Sequence, residues 1–357
     1  MLVLPKIHRL GFARNCRTLN AAAVLLASFS AMHAANYSAE KITVEGLEVV
    51  RLTDAGHHSE VSIVPSIGNI AYEMKVNGKP VLFSPYQNLT DFKAKPALLG
   101  VPFLAPWANR LNQDGFYANG KKYVLNAGLG NLRYDQFHQP IHGLVAFTSE
   151  WQVIRAHADA NGAEVVSRLE FWKYPAWMAQ FPFAHSIEMT YKLSNGALEV
   201  RTAIHNLSVE AMPVSVAFHP YYQITDAERD EWRVHLAAKS HYTLSSKLIP
   251  TGEATPLSGG DTFTLAGRQL DDVYGGVVDG DEFSVQGKSQ KISIRFGPRY
   301  KVAVVYAPPG RNFICFEPMS GVTDAFNLNQ AGLYSELQSI APGQTWQESF
   351  WITPSGF

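Results

Sequence analysis

Short runs of alternating apolar and polar residues recur from about Glu40 to the end of the chain, and glycine-bearing turns separate them. Residues 42–51, 198–204, 291–296 and 301–306 are such runs. A side-chain period of two gives an extended backbone one apolar and one polar face, the pattern of a half-buried strand. The breaks include Asn77-Gly78, Asn119-Gly120, Asn161-Gly162, Asn195-Gly196 and Pro308-Pro309-Gly310. Asn-Gly suits a two-residue hairpin because both central residues need a positive φ. After the first 35 residues no long stretch carries a helical period, and residues 331–337 are expected to form a turn or two of helix at most. Many strands without intervening helices predict an all-β fold: one large antiparallel β-sandwich domain over residues 36–357.

Composition narrows the functions open to such a sandwich. At 46% apolar and 17% charged, the 357-residue chain can bury a large core, which excludes general disorder. Lys and Arg number 30 against 31 Asp and Glu, so the chain lacks the basic excess that phosphate neutralisation requires. Nucleic acid is not an expected partner. The 12% of aromatic residues favour strands and, where exposed in a cleft, give a ligand flat amphipathic faces. The two cysteines, Cys16 and Cys315, form no metal-binding pattern, so neither a disulfide scaffold nor a structural zinc is expected.

The first 35 residues read as a secretory signal. Lys6, Arg9, Arg14 and Arg17 precede an apolar core over 21–30, and the small residues of 31–35 offer a cleavage site. This run is too short to span a bilayer comfortably, and no later segment is better suited. The mature protein is therefore expected in the periplasm or outside the cell. Cleavage would leave Cys315 as a lone thiol, and its neighbours Phe313, Ile314 and Phe316 predict that it is buried.

Four segments combine ionisable residues with aromatic, Gly or Pro neighbours: 106–117, 139–144, 216–222 and 313–327. His219 ends a strand-like run just before Pro220, beside Tyr221 and Tyr222. Its imidazole is suited to proton transfer near neutrality, or equally to a structural bond with a carbonyl. His142 carries the same two readings. Glu317 follows Ile314-Cys315-Phe316, so its carboxylate starts close to dry surroundings. Desolvation would raise its pKa and strengthen it as a base, while an ion pair with Arg110 would make it structural. Arg110, beside Asn109, can offer a fixed fork of donors to ligand oxygens. Asp271 or Asp272 is either an acceptor for hydroxyls or part of a solvated turn. No nucleophile elbow, zinc-protease pattern or phosphate loop is present in the sequence. Histidines, carboxylates, one Arg and many aromatics fit acid/base work on a neutral polyhydroxylated ligand, with no metal and no cofactor.

In order, these segments resemble the aldose 1-epimerase (mutarotase) family from about Glu45 to Ile352. Ala108-Asn109-Arg110-Leu111, Ile141-His142-Gly143, Phe218-His219-Pro220-Tyr221-Tyr222, Glu317-Pro318 with Thr323-Asp324-Ala325-Phe326-Asn327, and the close around Pro342-Gly343 match its motifs in sequence order. The resemblance implies a β-supersandwich that interconverts the α and β anomers of a sugar. Glu317 matches the base that deprotonates the C1 hydroxyl, His219 the acid at the ring oxygen, and His142 an accessory histidine. Acid and base are expected on opposite sides of the C1–O5 unit. Arg110, Asp271 and Asn109 match hydroxyl-binding positions. Tyr222, Asp272 and Pro318 depart from the galactose branch, which points away from strict galactose specificity. Two other functions fit the same residues: a carbohydrate-binding protein without catalysis, and an epimerase of hexose phosphates.

Overall fold

Asn77-Gly78, Asn119-Gly120 and Asn195-Gly196 close three hairpins, every one of the six residues having a φ between 50° and 76°. At Asn161-Gly162 the turn falls one residue earlier: Gly162 opens the next strand, opposite Asp159. A further hairpin was not among the expected ones. Glu45 and Gly46 have φ of 51° and 80°, so the run 42–51 is split between the strands Tyr37–Val44 and Leu47–Asp54. The glycine takes this conformation freely, and the adjoining glutamate is carried with it.

The computed structural model describes residues 36–257 and 261–357. The leader, with Cys16, lies outside them. Three large sheets form, of five, nine and seven strands, and every pairing between their strands is antiparallel. In the seven-stranded sheet the neighbours run Pro250–Pro256, Ser240–Leu244, Leu270–Gly275, Val302–Ala307, Cys315–Met319, Ala217–Phe218 and Phe103–Leu104. One face packs on the nine-stranded sheet, where Phe218 meets Phe350 at 4.9 Å and Phe283 meets Phe316 at 5.7 Å between ring centres. The five-stranded sheet adds Val50, Leu52, Val61 and Ile63 to the same core. The all-β sandwich expected from the sequence is the fold observed.

Two local departures have physical causes. Val302, Ala303, Val304 and Val305 are all buried, because this central strand is covered on both faces rather than one. The six-residue helix Ala325–Gln330 is part of its outer cover. Residues 331–337 are not helical. Gly332, with φ 73°, ends that helix, and the Leu333 N–H turns back to the Leu328 carbonyl at 2.9 Å.

Alternation along the seven-stranded sheet decides which side chains can meet. Phe316 points into the sandwich, so Glu317 points to the outer face. Phe218 points in, so His219 likewise points out. Val304 pairs with both Glu317 and Val273, and Asp271, two residues before Val273, shares their face. Asp272 pairs with Val305 on the core side. Strand parity thus separates two aspartates that the sequence leaves equivalent.

Candidate active site

Glu317 lies on the outer face of its strand and His219 just past the end of the neighbouring strand Ala217–Phe218, with Nε2 of His219 3.1 Å from Oε1 of Glu317. Both are buried. The His142 ring meets that of His219 edge to face, 5.6 Å between centres. Arg110 is 3.6 Å from Asp271 through Nη2. Asn109, Arg110, His142, His219, Asp271 and Glu317 therefore gather at one place, although the expected acid and base are in contact rather than on opposite sides of a gap. The ion pair weighed between Glu317 and Arg110 is not the one formed. Arg110 binds Asp135 and Asp271, and Glu317 binds His219.

Loops over the sheet position the rest. The backbone of Arg110 bridges to Ile141, and the His142 N–H donates to the Asn109 carbonyl at 2.9 Å, so the Asn109–Arg110 and His142 segments hold each other. The side-chain oxygen of Asn109 accepts from Arg110 Nη1 at 3.0 Å, which commits it to aiming the guanidinium. Asn109, His142 and Asp324 all have left-handed φ, of 51°, 62° and 63°. Asp324 ties this turn to the helix end: its N–H donates to the Arg110 carbonyl and its Oδ1 accepts from the Asn112 N–H, each at 3.0 Å. Burial raises the Asp324 carboxyl to about 6, against these bonds.

Three further residues had no distinguishing sequence signal. Asp135 accepts from Arg110 Nε at 2.8 Å and is almost fully buried. Arg133 donates to the His142 carbonyl at 2.7 Å, and burial lowers its guanidinium to about 10. Tyr306 meets the His219 ring edge to face at 5.9 Å, while Tyr221 stacks on it at 4.8 Å. With Phe83 and Phe313 these tyrosines make an aromatic wall beside the pair. Cys315 is buried in the same cluster, as its neighbours predicted, and burial pushes its thiol up.

Electrostatics favour uncharged forms in this recess. Burial pushes the Glu317 carboxyl well above the usual range; Asp271 adds to the effect and Arg110 opposes it. Burial lowers the His219 imidazole to about 3, and places His142 well below its ordinary value with help from the cations nearby. One oxygen of Glu317 (Oε2) and the Nδ1 atoms of both histidines have no hydrogen-bond partner among the described residues. Buried polar atoms of this kind usually have one. Asp271, less buried than Glu317 and pushed up chiefly by burial, adds an acceptor at the rim. Asp272 is not in this group; it binds His241 at 2.9 Å. Among the described residues no cluster of three His, Cys, Asp or Glu has the spacing to hold a metal ion. No helix among them is long and apolar enough to cross a membrane.

The sequence pattern of the aldose 1-epimerase family matches residues 48–353. A galactose mutarotase-like protein from Clostridium acetobutylicum superimposes with a TM-score of 0.79 at 21% identity, over 90% of this chain and 99% of its own. The Slr1438 protein of Synechocystis sp. PCC 6803 gives 0.70 at 25% identity, over 89% and 99%. An aldose epimerase homologue from C. elegans gives 0.65 at 16% identity, over 90% and 99%.

Proposed function

The chain belongs to the aldose 1-epimerase family of sugar isomerases, and on that premise we propose that it interconverts the α and β anomers of a free hexose. The observation that supports this reading best is the 3.1 Å contact of Glu317 with His219, both buried, with the rings of Tyr221 and Tyr306 packed on the imidazole. In the proposed reaction Glu317 takes the proton of the C1 hydroxyl while His219 gives one to the ring oxygen. The C1–O5 bond breaks as C1 becomes a carbonyl. Rotation about C1–C2 and reversal of both transfers close the ring on the other face. The two oxygens hang on one carbon, so an acid and a base in contact can serve both from the same side. Groups of this kind contribute about 10²–10⁴-fold each.

The pair needs one proton between its members. Burial favours keeping that proton on Glu317, and its passage across the hydrogen bond to His219 produces the carboxylate–imidazolium form that attacks the sugar. In this reading Arg110 donates to sugar hydroxyls, Asp271 accepts from them and His142 steadies the ring oxygen, while Asn109 acts by aiming Arg110. Polarimetry on freshly dissolved α-D-glucose and α-D-galactose tests the proposal. Optical rotation should relax faster with protein than in buffer alone. Relaxation at the buffer rate would leave a sugar-binding protein without catalysis.

We propose export as well, with the leader of residues 1–35 removed. N-terminal sequencing of protein from its native host should place the first residue between Ser30 and Asn36. An intact Met1 overturns it.

A further inference from the structure

Away from the cleft, the five-stranded sheet and the segment over 84–99 enclose a cavity of about 480 Å³, a volume within the about 300–1,000 Å³ common for small-molecule sites. Arg51, Tyr72, Glu73, Lys75, Tyr86 and Gln223 line it. Arg51 and Glu73 stand in one cross-strand row, through Ser62, so their side chains share a face.

The charges around this cavity are unevenly matched. Glu73 is paired with Lys75 at 2.5 Å. Glu45 accepts from the backbone N–H and the hydroxyl of Thr90, at 2.9 and 3.0 Å. The Arg51 Nε is buried and has no acceptor among the described residues. Glu40, opposite Arg51 in the strand register, is exposed and forms no ion pair with it. A buried guanidinium N–H without an acceptor is costly, and a carboxylate matches the guanidinium fork.

We propose that this cavity is a second, non-catalytic site for a hydroxylated carboxylate, the class of a uronic acid. The carboxylate binds Arg51, the carbon ring lies against the tyrosines, and hydroxyls bond to Glu73 and Gln223. A neutral sugar would give the Arg51 N–H no charged acceptor. A dianionic phosphate would face Glu45 and Glu73 with one charge more than a carboxylate brings. The site is separate from the Glu317–His219 recess: Leu82 and Ser84 line the cavity, while Phe83 between them belongs to the aromatic wall of the cleft.

Calorimetry with D-glucuronate as the probe, on full-length protein already saturated with D-glucose, tests this. Glucuronate should still bind, at one site per chain, while inorganic phosphate should bind far more weakly. Arg51→Gln should weaken glucuronate by at least about tenfold, the scale of a lost charge-assisted hydrogen bond, and leave the rate of glucose epimerisation unchanged. Arg51→Lys keeps the charge but loses the fork, and should weaken binding by a smaller factor. It serves as the readout should Arg51→Gln fail to fold. Wild-type affinity in either folded variant, full competition by glucose, or the absence of glucuronate binding overturns the proposal. Because binding is measured directly, this result stands apart from whether the protein epimerises glucose.

Discussion

Replacing Glu317 with Gln is expected to lower kcat by at least about 10²-fold with a smaller change in KM, as for a lost proton-transfer group. The substitution is informative because burial already holds the native carboxyl toward its uncharged form. An amide of the same shape can keep the contact with His219 without placing a new charge in the recess. Stability should therefore shift by less than about 1 kcal/mol, so the rate reports chemistry and not unfolding. Polarimetric progress curves, alongside thermal denaturation, give both quantities. A variant with near-wild-type kcat would make the carboxylate structural.

His219→Asn should cost about as much, and the pH profile separates it from a packing defect. The wild-type pair works with one proton. Below about pH 3, where His219 gains its own proton, a second is added and the rate falls. Above the raised value of Glu317 the single proton is lost and the rate falls again. The acid limb should thus lie well under the usual histidine range and the alkaline limb above the usual carboxylate range; the limbs belong to the pair rather than to either residue. Without the imidazole, the residual rate should rise as Glu317 ionises and show no alkaline fall. His142→Asn should be milder, because that ring stands against His219 and does not bond to Glu317. If His142→Asn abolishes turnover and His219→Asn spares it, acid and helper are exchanged.

The sheets were legible because period-two patterning and Asn-Gly turns are local. The same locality explains the errors: Glu45-Gly46 sits inside an apparently continuous alternation, and the double burial of the strand Val302–Ala307 depends on what covers it. At the site, Glu317, His219, His142 and Arg110 were visible through aromatic and Gly/Pro context and the order of their motifs. Asp135 was not, since its partner Arg110 lies 25 residues away with no period linking them. Asp271 and Asp272 are chemically identical neighbours, and only the pairing of Asp271 with Tyr306 and of Asp272 with Val305 tells them apart.

The left-handed turns at Asn109, His142 and Asp324 bear on how this protein can change over generations. Each holds a side chain with a Cβ where glycine would rest more easily, at a cost of order 1 kcal/mol apiece. Glycine at any of them would relax the loop. It would also release the Arg110 guanidinium from Asn109, remove the His142 ring, or cut the Asp324 tie to the Asn112 turn. At these three positions relief of backbone strain and retention of the groups that shape the site are opposed, a trade-off between robustness and activity seated in three backbone angles. Selection for heat resistance can instead act at left-handed residues outside the site, such as His58 and Asn119, and leave these groups in place.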